Sequence, residues 1–214
     1  MSADVWSGRA AAYVESDAHR EGDDLETLVA WAAGVETALD VATGGGHVAR
    51  RLRQNGIQVV TCDAAPGMHP DVLCTAESLP FAEGSFDLVA CRTAAHHFAS
   101  PRKAMAEMAR VARDRVIVVD TLNMGDDVEA AERLRDPSHV RNYTDAEWRE
   151  LVQDAGLGLD DVRFFEHAFS LQAWLDRTGC VGDDAARAVS LLGARVADGR
   201  LTLSKIAILA RKGA

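Results

Sequence analysis

Two aspartates and three consecutive glycines carry the most readable chemistry in this chain. Asp40 sits at the end of a short apolar run (Val35, Ala38, Leu39, Val41). Gly44, Gly45 and Gly46 follow, and Asp63 ends the next apolar run, nineteen positions beyond Gly44. Glycine takes backbone angles that a Cβ resists, and it lets a ligand lie directly on the main chain. A helical pattern of Val48, Ala49 and Leu52 begins at once after the glycines. Strand, tight glycine turn and helix together form the opening unit of a nucleotide-binding α/β fold.

Which nucleotide is decided by charge. Gly44-Gly45-Gly46-His47-Val48-Ala49 satisfies G-x-G-x-x-[GA], and Asp63 stands near the distance of the ribose-binding acid of dinucleotide enzymes, so an NAD(P)-dependent oxidoreductase is one reading. Asp40 opposes it, because a carboxylate four residues before Gly44 repels a pyrophosphate. A cationic nucleoside is favoured instead. S-adenosylmethionine carries an ammonium, a sulfonium and a ribose diol but no phosphate, and it suits Asp40 together with Asp63.

Further along, His96 and His97 fall in the loop after an apolar run, Phe86–Cys91. Neighbours in an extended segment point to opposite faces, so one of the two, read here as His97, is the candidate general base; the alternative is a loop histidine bonded to backbone. His139 and Arg141 lie in a polar segment where substrate contact competes with plain solvation. Phe164, Phe165, Phe169 and Trp174 read as core rather than as a substrate box. Cys62, Cys74, Cys91 and Cys180 form no CxxC pair, which argues against zinc and for buried free thiols in a reducing compartment.

The elements that must position these groups alternate. A helix over Gly8–Glu15, capped by Ser7, and a second through Leu25, Leu28, Val29 and Ala32 precede the sheet, and Gly34 stops the second. These first 34 residues must pack on the sheet or over its ligand. Strands follow at Thr37–Val41, Gln58–Cys62, Val72–Cys74, Phe86–Cys91 and Arg115–Asp120, with late strands at Val162–Phe169 and Leu203–Ala210. Helices are expected at Gly46–Asn55, after Ser100-Pro101, from the Thr144/Glu147 capping box to Ala155, and at Ala173–Asp176 and Ala185–Val196. Between the second and third strands only Ala64–Asp71 is available, with Pro66, Gly67 and Pro70; this crossover is expected to lack its helix or to keep one turn. Asn123–Asn142 reads as a lid or substrate helix. The pattern is one α/β domain spanning residues 1–214, with a mostly parallel sheet.

The 214 residues are 48% hydrophobic and 26% charged, with a net charge of −10. That balance argues against nucleic acid as a partner. No basic region followed by an apolar run opens the chain, and no apolar stretch approaches the ~18 residues of a membrane span. The expectation is a cytoplasmic protein acting on a small molecule, as a monomer or homodimer, with no membrane partner and no metal.

Four stretches in order, LDVATGGGH (Leu39–His47), CDAAPGM (Cys62–Met68), AESLPF (Ala76–Phe81) and FDLVACRTAAHHF (Phe86–Phe98), resemble the class I S-adenosylmethionine-dependent methyltransferases. The likeness is greatest to the small-molecule branch of ubiquinone and menaquinone C-methyltransferases, and it spans roughly Val5 to Ala168. It implies a Rossmann-like sandwich with seven strands in the order 3-2-1-4-5-7-6, strand 7 antiparallel, and methyl transfer that leaves S-adenosylhomocysteine. It implies that Asp40 and the backbone of Ala42, Gly44 and Gly46 hold the methionine moiety, and that Asp63 takes both ribose hydroxyls. Ala64 would line the adenine, and Ala76 and Glu77 would lie at its edge. Cys91 or Arg92 would offer a main-chain carbonyl to the ammonium, and Tyr13 would close over the cofactor. Two departures are visible. Thr75 stands where the family has an aspartate for the adenine amino group, and the trimmed crossover leaves one sheet edge thinly covered, to be filled by the N-terminal helices or a second subunit. A non-catalytic binding protein on the same fold is the other alternative these departures allow.

Overall fold

The computed structural model describes residues 3–213. Three helices lead the chain: α1 (Ala3–Val14), a single turn α2 (Asp17–Arg20) and α3 (Asp23–Trp31). Helix α1 starts earlier than expected. Ser7 lies inside it rather than capping it, and its hydroxyl accepts from the Gly67 N–H at 3.0 Å. The alternating region then runs β1 (Thr37–Val41), α4 (His47–Gln54), β2 (Gln58–Asp63), β3 (Val72–Leu73), β4 (Phe86–Arg92), α5 (Pro101–Val111) and β5 (Ala112–Thr121). Next come α6 (Asp126–Arg135), α7 (Asp145–Asp154), β6 (Leu157–Ser170), α8 (Leu171–Asp176), α9 (Gly182–Leu192), β7 (Val196–Ala197) and β8 (Arg200–Lys212).

The sheet order is β3-β2-β1-β4-β5-β8-β6, with β7 attached to β8. Strands β1 to β5 pair in parallel, and β8 runs antiparallel between β5 and β6. This is the order the resemblance implies, β8 standing as its seventh strand; the two-residue β7, off the main order, is additional. Val196, expected to be helical, belongs to β7. Strand β6 starts five residues before Val162, because its pairing with β8 begins at Leu157↔Lys212. The crossover after β2 keeps one 3₁₀ turn, Pro66–Met68.

Alternation along the strands divides the core. Leu39, Val41, Val89, Cys91, Val116 and Val118 face α5 and α7, where Met105, Met108, Trp148 and Leu151 are buried. Ala38, Leu88, Ala90, Ile117 and Val119 face α3 and α4 through Leu25, Leu28, Val48 and Leu52. Such a run is apolar on both faces because helices cover both. A third cluster forms where the far end of β8 (Leu201, Leu203) meets α6, α8 and α9 through Val128, Ala131, Trp174, Leu175 and Leu192. It extends the fold beyond the open C-terminal edge of the parallel strands, above which ligands bind in such sheets. The Asn123–Asn142 segment is therefore a helix seated on α9 and a buried turn, not an unsupported polar flap. Among the described residues no helix is long and apolar enough to cross a membrane.

Candidate active site

The C-terminal ends of β1, β2 and β4 open into a cavity of about 460 Å³. Tyr13, Asp40, Ala42, Gly44, Asp63, Ala64, Ala76, Glu77, Arg92 and His97 line it, and so do Gly45 and Thr75. Of the cofactor candidates from the sequence, Gly46 and Cys91 do not: Gly46 is the left-handed N-cap of α4, with φ 73°, and Cys91 is buried in the core. Two of the non-glycine residues with positive φ, Ala42 (53°) and Thr93 (55°), follow β1 and β4 at the cavity rim. Local backbone strain of this kind collects at functional sites.

The two aspartates differ in how they are held. Asp40 is 1% exposed. The Thr43 hydroxyl donates to its Oδ2 at 2.6 Å and the Ala49 N–H at 3.1 Å, so one oxygen fixes the glycine loop onto the start of α4. Burial pushes its carboxyl up to about 6. Asp63 accepts from the Gly44 N–H at 3.0 Å and the Ala65 N–H at 2.9 Å, one on each oxygen. A carboxylate has about four lone-pair sites, so each oxygen keeps one for a diol. Glu77 reaches the cavity, but its Oε1 also accepts from the Ser100 N–H at 3.2 Å, at the cap of α5. Cys74, expected in the core, is half-buried and lines the cavity, since β3 is too short to cover it.

Helix α1 closes one side. The Tyr13 carbonyl bonds His47 Nε2 at 2.9 Å, and a Cβ on Gly45 would stand 2.7 Å from that carbonyl. A Cβ on Gly67 would stand 2.5 Å from Ser7 Cα. Gly45 and Gly67 thus lack side chains because α1 lies against them, over the trimmed crossover. Behind this, Arg92 forks onto Asp24 (Nε to Oδ2 2.9 Å, Nη2 to Oδ1 3.1 Å), and Lys205 Nζ reaches the same Oδ2 at 2.9 Å. Burial would raise the Asp24 carboxyl, but the two cations hold it well below the usual carboxylate range. Nothing local in the sequence marks Asp24; a buried acid at the start of a helix looks like an N-terminal dipole partner.

A second, small cavity of about 50 Å³ adjoins the first, sharing Tyr13, His19, Thr93 and His97. Here both histidines after β4 have a place. His96 Nδ1 lies 2.6 Å from Asp120 Oδ1, and its N–H donates to Oδ2 at 2.9 Å. Burial lowers the imidazole, yet Asp120 outweighs it and holds His96 above its ordinary value. His97 goes the other way: burial, then the neighbouring His96, push it well below. Its Nδ1 donates to the Ser138 carbonyl at 3.1 Å, which leaves Nε2 an unprotonated acceptor. The dyad was missed in the sequence because Asp120 reads as the end of a buried strand. His139 is buried between Glu129 (3.1 Å) and Glu132 (3.2 Å), and Arg141 lies over the Tyr143 ring and pairs with Glu147; neither lines a cavity. Trp174 is core and also a wall of the small cavity, whereas Phe164 is 57% exposed and is not core.

A family described as a methyltransferase domain matches residues 39–119, the stretch from β1 through β5. The methyltransferase YcgJ of Bacillus subtilis is 31% identical over 202 residues, 83% of this chain and 80% of that one. The chain belongs to the class I S-adenosylmethionine-dependent methyltransferases. The crystal structure of YcgJ superposes on this methyltransferase with a TM-score of 0.80, at 28% identity, covering 89% of this chain and 98% of that one. A methyltransferase structure from Bacillus halodurans gives 0.78 at 29% identity, over 90% and 100%. The demethylmenaquinone methyltransferase of Beutenbergia cavernae is 35% identical over 97 residues, 40% of each chain.

Proposed function

We propose that this methyltransferase binds S-adenosylmethionine in the larger cavity and methylates a small molecule that enters beside His96 and His97. The carrying observation is that Asp40 and Asp63 line one cavity on either side of the bare glycine turn, with acceptor capacity left on Asp63. A pyrophosphate would meet two carboxylates there, which disfavours the nicotinamide alternative. Asp63 takes the ribose diol. Asp40, with the main chain of Ala42, Gly44 and Gly46 and a carbonyl from Cys91 or Arg92, holds the amino-acid end. Ala64, Ala76 and Glu77 bound the adenine, and Tyr13 covers it. When bound, the cofactor supplies an activated methyl group for in-line displacement, in which alignment alone provides much of the acceleration. His96, made basic by Asp120, is positioned to take the acceptor's proton; neutral His97 offers an acceptor to orient it.

The finer placement among quinone C-methyltransferases has support in the demethylmenaquinone relatives, which match about two fifths of this chain. The open cavity of about 460 Å³ supports a bound cofactor. The deciding experiment is calorimetry with S-adenosylhomocysteine. Micromolar binding is expected; absence of binding at millimolar ligand would overturn the proposal. Asp63→Ala should weaken that binding about a hundredfold, since two hydrogen bonds to a charged acceptor are lost.

A further inference from the structure

The small cavity is basic beyond what its own acids balance. Among the described residues Glu132 is the one acid lining it, and its Oε2 is already taken by His139 Nδ1 (3.2 Å) and Asn142 Nδ2 (3.2 Å). Arg92 and Lys205 share the single carboxylate of Asp24, and Asp136 is paired with Arg9 through Oδ1 at 3.1 Å. Asp136 Oδ2 is buried without a hydrogen-bond partner, and against burial the neighbouring Arg135 charge helps hold this carboxyl below its ordinary value. Among the described residues neither Arg135 nor Arg177 has a carboxylate within ion-pairing distance. Arg135 is 8% exposed, donates from Nε to the Trp174 carbonyl at 3.1 Å, and lies 4.9 Å over that indole ring. Its Nη2 is buried without a partner. Among the described residues the contact of the Arg177 guanidinium is with the Tyr13 ring, at 5.9 Å. Burial, and Arg135 beside it, push its guanidinium down to about 10. Two like charges in one partly buried place carry an electrostatic cost that an anion relieves. An unpaired buried N–H is likewise costly, and a shift of the Arg135 side chain toward a bound anion would relieve it.

We propose that the small cavity receives the carboxylate of the methyl acceptor, held by Arg135 and Arg177. A guanidinium fork matches a planar carboxylate. The volume of about 50 Å³ is enough for a small anionic group such as a carboxylate. The rest of the acceptor extends past Thr93 and His97 into the larger cavity, toward the cofactor. This rests on the cofactor assignment above, because the small cavity is an acceptor site only if the large one holds the methyl donor.

The test is calorimetry on the full chain saturated with S-adenosylhomocysteine, titrated with acetate, benzoate and their neutral amides, acetamide and benzamide. At least one carboxylate should bind tenfold or more tightly than its amide, and Arg177→Met should remove that preference while leaving S-adenosylhomocysteine affinity within about twofold. Arg135→Gln, with its melting temperature checked, serves as the second variant. No carboxylate binding at millimolar ligand, equal affinity for acid and amide, or a preference untouched by both variants would overturn the proposal. Failure of S-adenosylhomocysteine itself to bind, alongside arginine-dependent carboxylate binding, would retain this site and sink the cofactor assignment instead.

Discussion

Asp40 is the residue whose titration should be measurable. Its carboxyl sits at about 6 in the folded chain against an ordinary 3.8, so the folded state holds this proton more tightly than the unfolded chain. The stability it contributes is therefore present below the unfolded value and lost as pH rises through about 6. Two units correspond to up to about 3 kcal/mol. Asp40→Asn, which keeps acceptors for Thr43 and Ala49, should melt several degrees higher than the wild type at pH 8 and no higher at pH 4, by calorimetric scan. The same variant should bind S-adenosylmethionine less well, because the cofactor's ammonium favours the ionised carboxylate. In the wild type that affinity should fall as pH drops through about 6. Asp120 works in the opposite sense, holding His96 above its usual value. Asp120→Asn should move the acidic limb of the kcat profile to lower pH and reduce its plateau, once an acceptor is in hand; an unmoved limb would remove His96 from the role of base.

At the scale of elements, the seating of α1 is open to test. It is joined to the rest by contacts that need glycine at Gly45 and Gly67, and its Tyr13 end lines the larger cavity. Gly67→Ala places a methyl 2.5 Å from Ser7 Cα, which is backbone and cannot rotate away. The helix should lift: limited proteolysis within residues 6–14 should accelerate and S-adenosylhomocysteine affinity should fall about tenfold, with little change in the main melting transition. Helix α3 is fixed more firmly. Removing Asp24 strands Arg92 and Lys205 in the interior, so Asp24→Ala should cost about 3–5 kcal/mol in urea unfolding.

At the scale of the whole molecule, both cavities are assembled between the sheet edge and segments far away in sequence. The first is closed by α1, the second by α6, α8 and the ends of β6 and β8. Ligand binding should therefore report on global stability. At a hundred times its Kd, S-adenosylhomocysteine should add about 2.7 kcal/mol, or roughly 5–10 °C in a domain of this size.

What the sequence by itself determined is the half built on the glycine turn: strand, glycine turn and helix from Thr37 to Gln54, Asp63 at the end of β2, the stunted crossover and the sheet of hydrophobic strands. These are local properties, fixed by backbone angles that only glycine takes freely and by the period of apolar residues. The glycine turn and its acids are separated by fewer than 25 positions. Only the tertiary structure decided the rest. Asp24 meets Lys205 across 181 positions, His96 meets Asp120, and Arg135 and Arg177 come to one small cavity. Nothing beside these side chains in the sequence names their partners; what makes each part of a site is burial beside particular partners, and burial is a property of the packed chain rather than of any stretch of it.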